Sequence, residues 1–122
     1  MAIKVVIGHR LGKGQRVADG VAQAGGEAIL IPGLGADMKL GDVMNETGAD
    51  FGISFCGSGG AGAVTANTNY GYPMEFSLRT VDAGVTAIRN GAKVVGFGFL
   101  DQEELGRRLV EEYRKTHPEA GS

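Results

Sequence analysis

Apolar residues are distributed along the chain in two alternating patterns, short continuous runs and runs with helical spacing. The continuous runs are typical of strands buried on both faces of a parallel sheet. They predict strands at residues 2–7, 28–31, 51–55 and 92–99, and residues 74–78 are predicted to form a short fifth strand. Between these runs, apolar residues recur three and four positions apart, as in Val81, Val85 and Ile88, and this spacing predicts helices.

The helices are predicted at residues 13–24, 39–47, 61–67 and 81–89, with a last helix that ends near Thr116. Asp101 is expected to cap that last helix, because Glu104 follows it at the spacing of a capping box. Residues 69–73 are predicted to form a turn. Strands that alternate with helices in this way indicate one α/β domain over residues 1–122, with a mostly parallel sheet of about five strands flanked by helices.

Composition narrows the classes of protein that the chain can belong to. Glycine makes up 22 of the 122 residues, whereas 43% hydrophobic and 21% charged residues are close to the globular norm. A net charge of -2 offers no basic face for nucleic acid, so we expect no nucleic-acid partner. No apolar run is long enough to span a membrane, and we therefore expect no direct membrane insertion and a cytoplasmic location, where the single Cys56 stays reduced.

The strongest candidate for a site is the run Cys56-Gly57-Ser58-Gly59-Gly60, which follows a predicted buried strand and precedes a predicted helix. Open parallel sheets bind ligands at the carboxyl ends of their strands, and a helix N-terminus favours an anion. We expect the loop N–H groups to bind an anion, the Ser58 hydroxyl to assist them, and the Cys56 thiol to have a lowered pKa. On this interpretation, Gly60→Val abolishes ligand binding in a folded protein. The alternative is a loop that only brings a helix close to the sheet, with Cys56 as a small buried hydrophobic residue.

Other polar residues are predicted either to line the same edge of the sheet or to be ordinary surface groups. His9 and Arg10 leave the first strand and can supply positive charge for a phosphate or carboxylate, with a solvated loop as the alternative. Asn67 is a candidate hydrogen-bonding residue, and Arg89 with Asn90 is either an anion-binding pair or a simple helix C-terminus. The chain contains neither a phosphate-loop motif nor the spaced dinucleotide fingerprint, so we predict no cofactor, and we predict no metal site.

The residues from Ser54 to the glycines after Cys56 resemble the signature of the glycine-rich SFCGS family, and the resemblance covers the whole chain. That family consists of small bacterial proteins associated with gene clusters for carbohydrate use. Residues 52–67 are also similar to the strand, Cys-Gly-Thr/Ser-Gly loop and helix of type B ribose-5-phosphate isomerases and the related galactose-6-phosphate isomerases. Residues 87–98 are similar to a later segment of those enzymes. The resemblance implies a Rossmann-like fold of the type B ribose-5-phosphate isomerase kind.

The isomerase resemblance also implies roles for individual residues. It implies Cys56 as the base that moves a proton between sugar carbons, residues 57–60 as the anion site, and Ser58 as a supporting hydroxyl. The chain departs from those enzymes at two places. Arg10 and Leu11 stand where the enzymes have Asp-His after the first strand, and Arg89 stands where they have the ring-opening histidine. Without those histidines, the options are an open-chain substrate, a different proton transfer, or binding alone.

Three functional hypotheses remain open from the sequence. The first is a sugar-phosphate-isomerase-like protein that binds a small anionic sugar derivative, phosphorylated or acidic, with Cys56 as the proton-transfer base. The second is a phosphocarrier of the sugar phosphotransferase B-component type with Cys56 as phospho-acceptor. The third is a non-catalytic ligand-binding subunit. We also expect a homodimer whose interface lies close to the Cys56 loop, because the resembled isomerases share sites between subunits and the residues after the site suit an interface core, namely Tyr70, Tyr72, Met74 and Phe76. The alternative is that these side chains cover the sheet edge of their own domain.

Overall fold

The computed structural model describes residues 2–119, and their strands and helices alternate along the chain. The strands are β1 (Lys4–His9), β2 (Glu27–Leu30), β3 (Phe51–Phe55), β4 (Met74–Leu78) and β5 (Val94–Phe97). The helices are α1 (Gln15–Gln23), α2 (Leu40–Thr47), α3 (Ala61–Tyr70), α4 (Val81–Arg89) and α5 (Glu103–Thr116), and a short 3-10 helix (Ala36–Lys39) directly precedes α2. The predicted bounds of β3, β4 and α4 are confirmed, whereas α3 is longer than predicted and β5 is shorter.

The strands form one sheet in the order β2-β1-β3-β5-β4, and each neighbouring pair is parallel. This confirms the predicted α/β fold with a mostly parallel sheet of five strands flanked by helices. β1 continues to His9, beyond the predicted end at residue 7, because His9 pairs with Phe55 of β3. The strand order places the carboxyl ends of β1, β3 and β5 side by side at the centre of the sheet.

Helices cover both faces of the sheet. α1, α4 and α5 pack on one face, over a core that includes Ile7, Phe55 and Phe97. The 3-10 helix, α2 and α3 cover the other face over a smaller core that includes Val6 and Met44. Among residues 2–119, none of these helices has both the length and the apolar character that crossing a lipid bilayer requires.

Close packing of the helices explains part of the glycine excess. Each α-helix contains one buried glycine at which an added Cβ would press on a neighbouring element, and these are Gly20, Gly41, Gly62, Gly84 and Gly106. A Cβ at Gly20 would overlap the carbonyl oxygen of Glu103, and a Cβ at Gly106 would overlap the carbonyl oxygen of Val17. The first and last helices therefore pack backbone against backbone.

The cap predicted for α5 is wrong. Gln102 is the N-cap of that helix, and the carboxylate of Asp101 instead accepts hydrogen bonds from the N–H groups of Gly14 (3.3 Å) and Val17 (3.0 Å) at the start of α1. A carboxylate satisfies the unpaired N–H groups of a helix N-terminus whichever part of the chain supplies it. Asp101 thus links the loop after β5 to the start of α1.

Candidate functional site

The loop after β3 wraps around the sulfur of Cys56. The N–H groups of Gly60 and Ala61 donate to Sγ at 3.2 and 3.1 Å, and the Ser58 hydroxyl oxygen lies 3.0 Å from the same atom. These two N–H groups belong to the start of α3, where a helix has no internal acceptors for them. The sulfur of the chain itself therefore occupies the position at which the sequence predicts an external anion.

The shape of this loop depends on glycine at two consecutive positions. Gly59 and Gly60 have φ values of 98° and 108°, a region that residues with a side chain rarely adopt. Gly59 donates its N–H to the Cys56 carbonyl oxygen at 3.1 Å, and a Cβ on Gly60 would overlap the Cα of Gly96 in β5. The N–H groups of Gly59 and Gly60 are thus both used inside the loop, and they are not free for a ligand in this conformation.

The donors around the sulfur favour its ionised form. Burial by itself raises the pKa of Cys56, whose exposed fraction is only 1%, but the hydrogen bonds from the Ser58 hydroxyl and from the N–H groups of Ala61 and Gly60 outweigh it. The net result is a pKa below the ordinary value for a cysteine thiol. A thiolate is the form of cysteine that acts as a base or as a nucleophile, so the loop prepares this residue for chemistry.

Ser58→Ala is expected to raise the pKa of Cys56, because the thiolate then loses the hydroxyl that donates to it while the two backbone donors remain. The titration is followed through the ultraviolet absorbance of the thiolate as a function of pH. Thr68→Ala, which removes an exposed hydroxyl from α3 without touching the sulfur, is the matched control and should leave the titration curve in place. Superimposable curves for Ser58→Ala and the wild type would contradict the assignment.

Arg10 lies near this loop in an ion pair with a buried carboxylate. Its Nε and Nη2 atoms donate to the two oxygens of Asp37 at 2.9 and 2.8 Å, and the Asp37 side chain is fully buried. The hydrogen bond to Asp37 raises the pKa of Arg10, and the negative charge of Cys56 adds to it more weakly. Asp37 thus occupies the edge of the guanidinium that Nε and Nη2 form, and Arg10 lies close enough to the sulfur for the charge of Cys56 to act on it.

His9 lies at the same edge of the sheet but on the face opposite to α3. Its ring is buried against Phe55 and Phe99, with ring centroids 5.5 and 5.2 Å away. The Nδ1 atom accepts a hydrogen bond from the Leu11 N–H at 3.0 Å, so the proton of the neutral ring is on Nε2. Burial lowers the pKa of His9, although the carboxylate of Asp101 opposes this effect. A mainly neutral His9 is a poor anion ligand.

The remaining predicted residues do not converge on Cys56. The Asn67 amide donates to the carbonyl oxygen of Tyr72 at 2.9 Å and so fixes the turn after α3. Arg89 pairs with Glu112 of α5 at 3.2 Å, and Asn90 ends α4 beside it. A helix between parallel strands runs back against them, so the end of α4 lies where the strands begin. Arg89 and Asn90 are therefore at the edge of the sheet opposite to Cys56 of the same chain, which corrects their predicted placement.

Two polar residues of the site were missed from the sequence. Asp37 is a buried acid in the 3-10 helix, and its signal was an isolated carboxylate among small and apolar residues before α2. Ser54 is two residues before Cys56, and its buried hydroxyl has no hydrogen-bond partner within residues 2–119. An added Cβ on Gly62 would lie 2.7 Å from that hydroxyl, which places it beneath the first turn of α3. The described residues contain no group of three or more His, Cys, Asp or Glu side chains arranged for a metal ion.

Solved structures with the same fold include several type B ribose 5-phosphate isomerases. The enzyme from Trypanosoma brucei is 24% identical, with 95% of this chain and 87% of that chain covered and a TM-score of 0.71. The enzyme from Leishmania infantum is 20% identical, with 98% and 88% covered and a TM-score of 0.70. The enzyme from Mycoplasma genitalium, solved with bound ribulose-5-phosphate, is 14% identical, with 94% and 86% covered and a TM-score of 0.66. At these identities, the likeness shows the fold.

No curated protein matches the chain at a significant level. Residues 3–116, in contrast, match the glycine-rich SFCGS family, and this range includes all strands and helices of the described structure. The loop around the Cys56 sulfur lies within the part of the sequence that gives this family its name. The chain belongs to the glycine-rich SFCGS family.

Proposed function

We propose that the protein binds a small phosphorylated or acidic sugar derivative at the carboxyl edge of the sheet and that Cys56 transfers a proton on this ligand. The observation that carries the proposal is the set of donors directed at the Cys56 sulfur, namely the Ser58 hydroxyl and the N–H groups of Gly60 and Ala61. These donors lower the pKa of the thiol and so increase the fraction of Cys56 that is present as the basic thiolate.

The solved structures support the substrate class. Their names describe isomerases of ribose 5-phosphate, and one of them holds ribulose-5-phosphate. Isomerisation between such sugars moves a proton between adjacent carbons. The thiolate takes the proton from the hydroxyl-bearing carbon beside the carbonyl, the C–H electron pair forms a C=C bond, and the carbonyl electron pair moves onto its oxygen to give an enediolate. The thiol then returns the proton to the former carbonyl carbon, while the proton of the neighbouring hydroxyl passes to the former carbonyl oxygen and a new carbonyl forms. The Ser58 hydroxyl and the Gly57 N–H are the loop donors that this proposal assigns to the developing oxyanion, because the Gly59 and Gly60 N–H groups are used inside the loop.

The buried state of Cys56 sets a condition for this chemistry. The exposed fraction of Cys56 is 1%, whereas Ser58 is exposed. A substrate carbon reaches the sulfur only when the Ser58 hydroxyl rotates away from it. The ring of His9 packs against Phe55 on the other face of the sheet, so within residues 2–119 the structure places no histidine beside the Cys56 sulfur for ring opening. We therefore propose an open-chain substrate.

The test measures exchange of a carbon-bound hydrogen of the sugar with deuterium from the solvent. Ribulose 5-phosphate, an open-chain sugar phosphate, is incubated with the protein in heavy water, and incorporation of deuterium beside the carbonyl is followed by NMR. Wild type is expected to catalyse exchange, and Cys56→Ala is expected to lose it, because the substitution removes the thiolate that takes the proton. Thr68→Ala is the control and should exchange like wild type. Equal exchange by Cys56→Ala and wild type would refute the role of Cys56.

The phosphocarrier remains the second candidate, because N–H groups at the start of α3 also suit a phosphorylated sulfur. Incubation with phosphoenolpyruvate and the general phosphotransfer proteins, followed by intact mass, distinguishes the two functions. A gain of one phosphoryl group in wild type that is absent from Cys56→Ala would favour the carrier. Ligand binding without phosphoryl transfer and without exchange would favour the non-catalytic subunit.

We also propose a cytoplasmic homodimer whose interface includes β4. Phe76 is 47% exposed on this edge strand, and Tyr70 stacks on Tyr72 with ring centroids 5.5 Å apart. Replacing Tyr72 and Phe76 by Asp is expected to give a folded monomer with weaker ligand binding, because two charges then enter the apolar interface. Light scattering measures the mass, and circular dichroism checks the fold. A wild type that is monomeric at high micromolar concentration would exclude the dimer.

A further inference from the structure

We propose that Arg79 and the loop after β5 form a subsite for the negatively charged end of an acyclic sugar phosphate or sugar acid whose reactive carbon lies at Cys56. This inference rests on the proposed function and adds the group that selects the ligand. The subsite is a cavity of about 150 Å³ at the carboxyl ends of β4 and β5. Its lining consists of Leu78, Arg79, Gly98, Phe99 and Leu100.

Arg79 supplies the positive charge of this cavity. It is exposed in the connection between β4 and α4, and no carboxylate within residues 2–119 forms an ion pair with it. Arg10, Arg89 and Arg108, by contrast, each have a carboxylate partner. The planar guanidinium of arginine matches the geometry of a phosphate or a carboxylate, so the N–H groups of the Arg79 guanidinium are suited to bind an anion.

The loop after β5 adds backbone donors on the other side of the cavity. Neither the Phe99 N–H nor the Leu100 N–H finds an acceptor among the residues that the structure describes. The loop is nevertheless held in place, because the Phe99 ring packs on His9 and the Asp101 carboxylate binds the start of α1. Fixed N–H groups bind an anion without first losing conformational freedom, which strengthens the site.

The Cys56 loop and β4 are joined directly by Ser77. This residue has a φ of 60°, which is uncommon for a residue other than glycine, and its N–H donates to the Gly59 carbonyl oxygen at 2.7 Å. The pairing of β4 with β5 is irregular between Glu75 and Leu78 at this point. Ser77 thus fixes the end of β4, and with it Arg79, relative to the loop that holds the sulfur.

The spacing of the two sites indicates the length of the ligand. Cys56 donates its N–H to Phe97 of β5, and Leu78 pairs with Phe97 from the other side. The backbones of Cys56 and Leu78 are therefore separated by two strand spacings, roughly 10 Å. An extended chain covers this distance in about eight bonds, which is the length of a chain of about five carbons with a terminal phosphate.

The experiment measures binding of probes that have no carbonyl group and are therefore not turned over. Ribitol 5-phosphate tests a phosphate, ribonate tests a carboxylate, and ribitol is the neutral probe, each titrated by calorimetry. Arg79→Gln is expected to weaken binding of whichever anionic probe the subsite prefers by about 10- to 100-fold, because a charge-assisted hydrogen bond is lost. Arg79→Lys should recover part of the affinity. Arg114→Gln, an exposed arginine of α5, is the matched control and should bind like wild type.

Three results would overturn the subsite: no binding of either anionic probe by wild type, equal binding of ribitol and ribitol 5-phosphate, or unchanged binding by a folded Arg79→Gln variant. The proposed function is tested separately by deuterium exchange. Arg79-dependent binding without exchange in wild type would reject proton transfer and retain the subsite. Exchange that is lost in Cys56→Ala but unaffected by Arg79→Gln, with unchanged probe binding, would reject the subsite and retain proton transfer.

Discussion

Gly20→Ala is expected to lower the free energy of unfolding by about 3 kcal/mol or more, although alanine has a higher helix propensity than glycine. The added Cβ would overlap the carbonyl oxygen of Glu103 and lie 2.9 Å from the backbone nitrogen of Arg107. Both atoms belong to the backbone of α5, so neither can rotate away, and α1 and α5 must separate. Denaturant unfolding, read from the transition midpoint and slope, measures the loss.

Two companion variants make this prediction specific. Asp19→Ala also introduces an alanine into α1, but at an exposed neighbouring position where its side chain meets no other helix. This variant should change the stability little. Gly106→Ala should resemble Gly20→Ala, because its Cβ would overlap the Val17 carbonyl oxygen at the same helix crossing. The double variant should lose less than the sum of the single losses, since one separation of the helices relieves both clashes. A Gly20→Ala protein as stable as wild type would disprove the close packing of α1 on α5.

Gly60→Val is expected to destabilise the fold, rather than to abolish ligand binding in an intact protein as the sequence predicts. Gly60 has a φ of 108°, and its Cβ would overlap the Cα of Gly96 in the central strand β5. The backbone strain and the clash together should cost about 3 kcal/mol or more. Because the Gly60 N–H also donates to Sγ, any folded fraction should have a raised pKa of Cys56. Denaturant unfolding and thiolate absorbance measure the two effects.

Gly33→Val is the matched control for the conformational part of this effect. Gly33 has a φ of 91°, close to that of Gly60, but an added Cβ would meet no atom within 4 Å. Its substitution should cost about 1–3 kcal/mol from backbone strain alone. The difference between the two variants reports the contact with Gly96. Equal losses would mean that the loop can move away from β5, and the close approach of Gly60 would then have no energetic role.

The sequence predicts those elements whose ends are marked locally. The bounds of β3, β4 and α4 were predicted from local patterns, and they agree with the structure. The patterns are an apolar run for β3, a short segment after a predicted turn for β4, and helical spacing that ends before Asn90 for α4. β1 ends later than predicted because its last pairing depends on β3, which is more than 40 residues away. Asp101 was assigned to α5 because Glu104 stands at capping-box spacing, whereas its actual N–H partners lie 84 and 87 residues earlier. Contacts of this kind leave no local pattern.

The position of the candidate site was predictable, but the use of its donors was not. A cysteine at the end of a buried strand, followed by glycines and a helix, places Cys56 at the start of α3. The same glycines allow the N–H groups to face either a ligand or the sulfur, and only the folded loop decides between them. Arg89 was ambiguous for a related reason, because its pairing with Glu112 depends on how α4 and α5 pack.

The strand order has a consequence for synthesis of the chain on the ribosome. β1, β2 and β3 are neighbours in space and leave the ribosome in succession, so they can pair before the rest is made. β4 is different, because its sheet partner is β5, which emerges only after α4. Until then, β4 has no strand to pair with, and an unpaired strand makes a nascent chain prone to aggregation. The pairing of β5 with both β3 and β4 then joins β4 to the sheet.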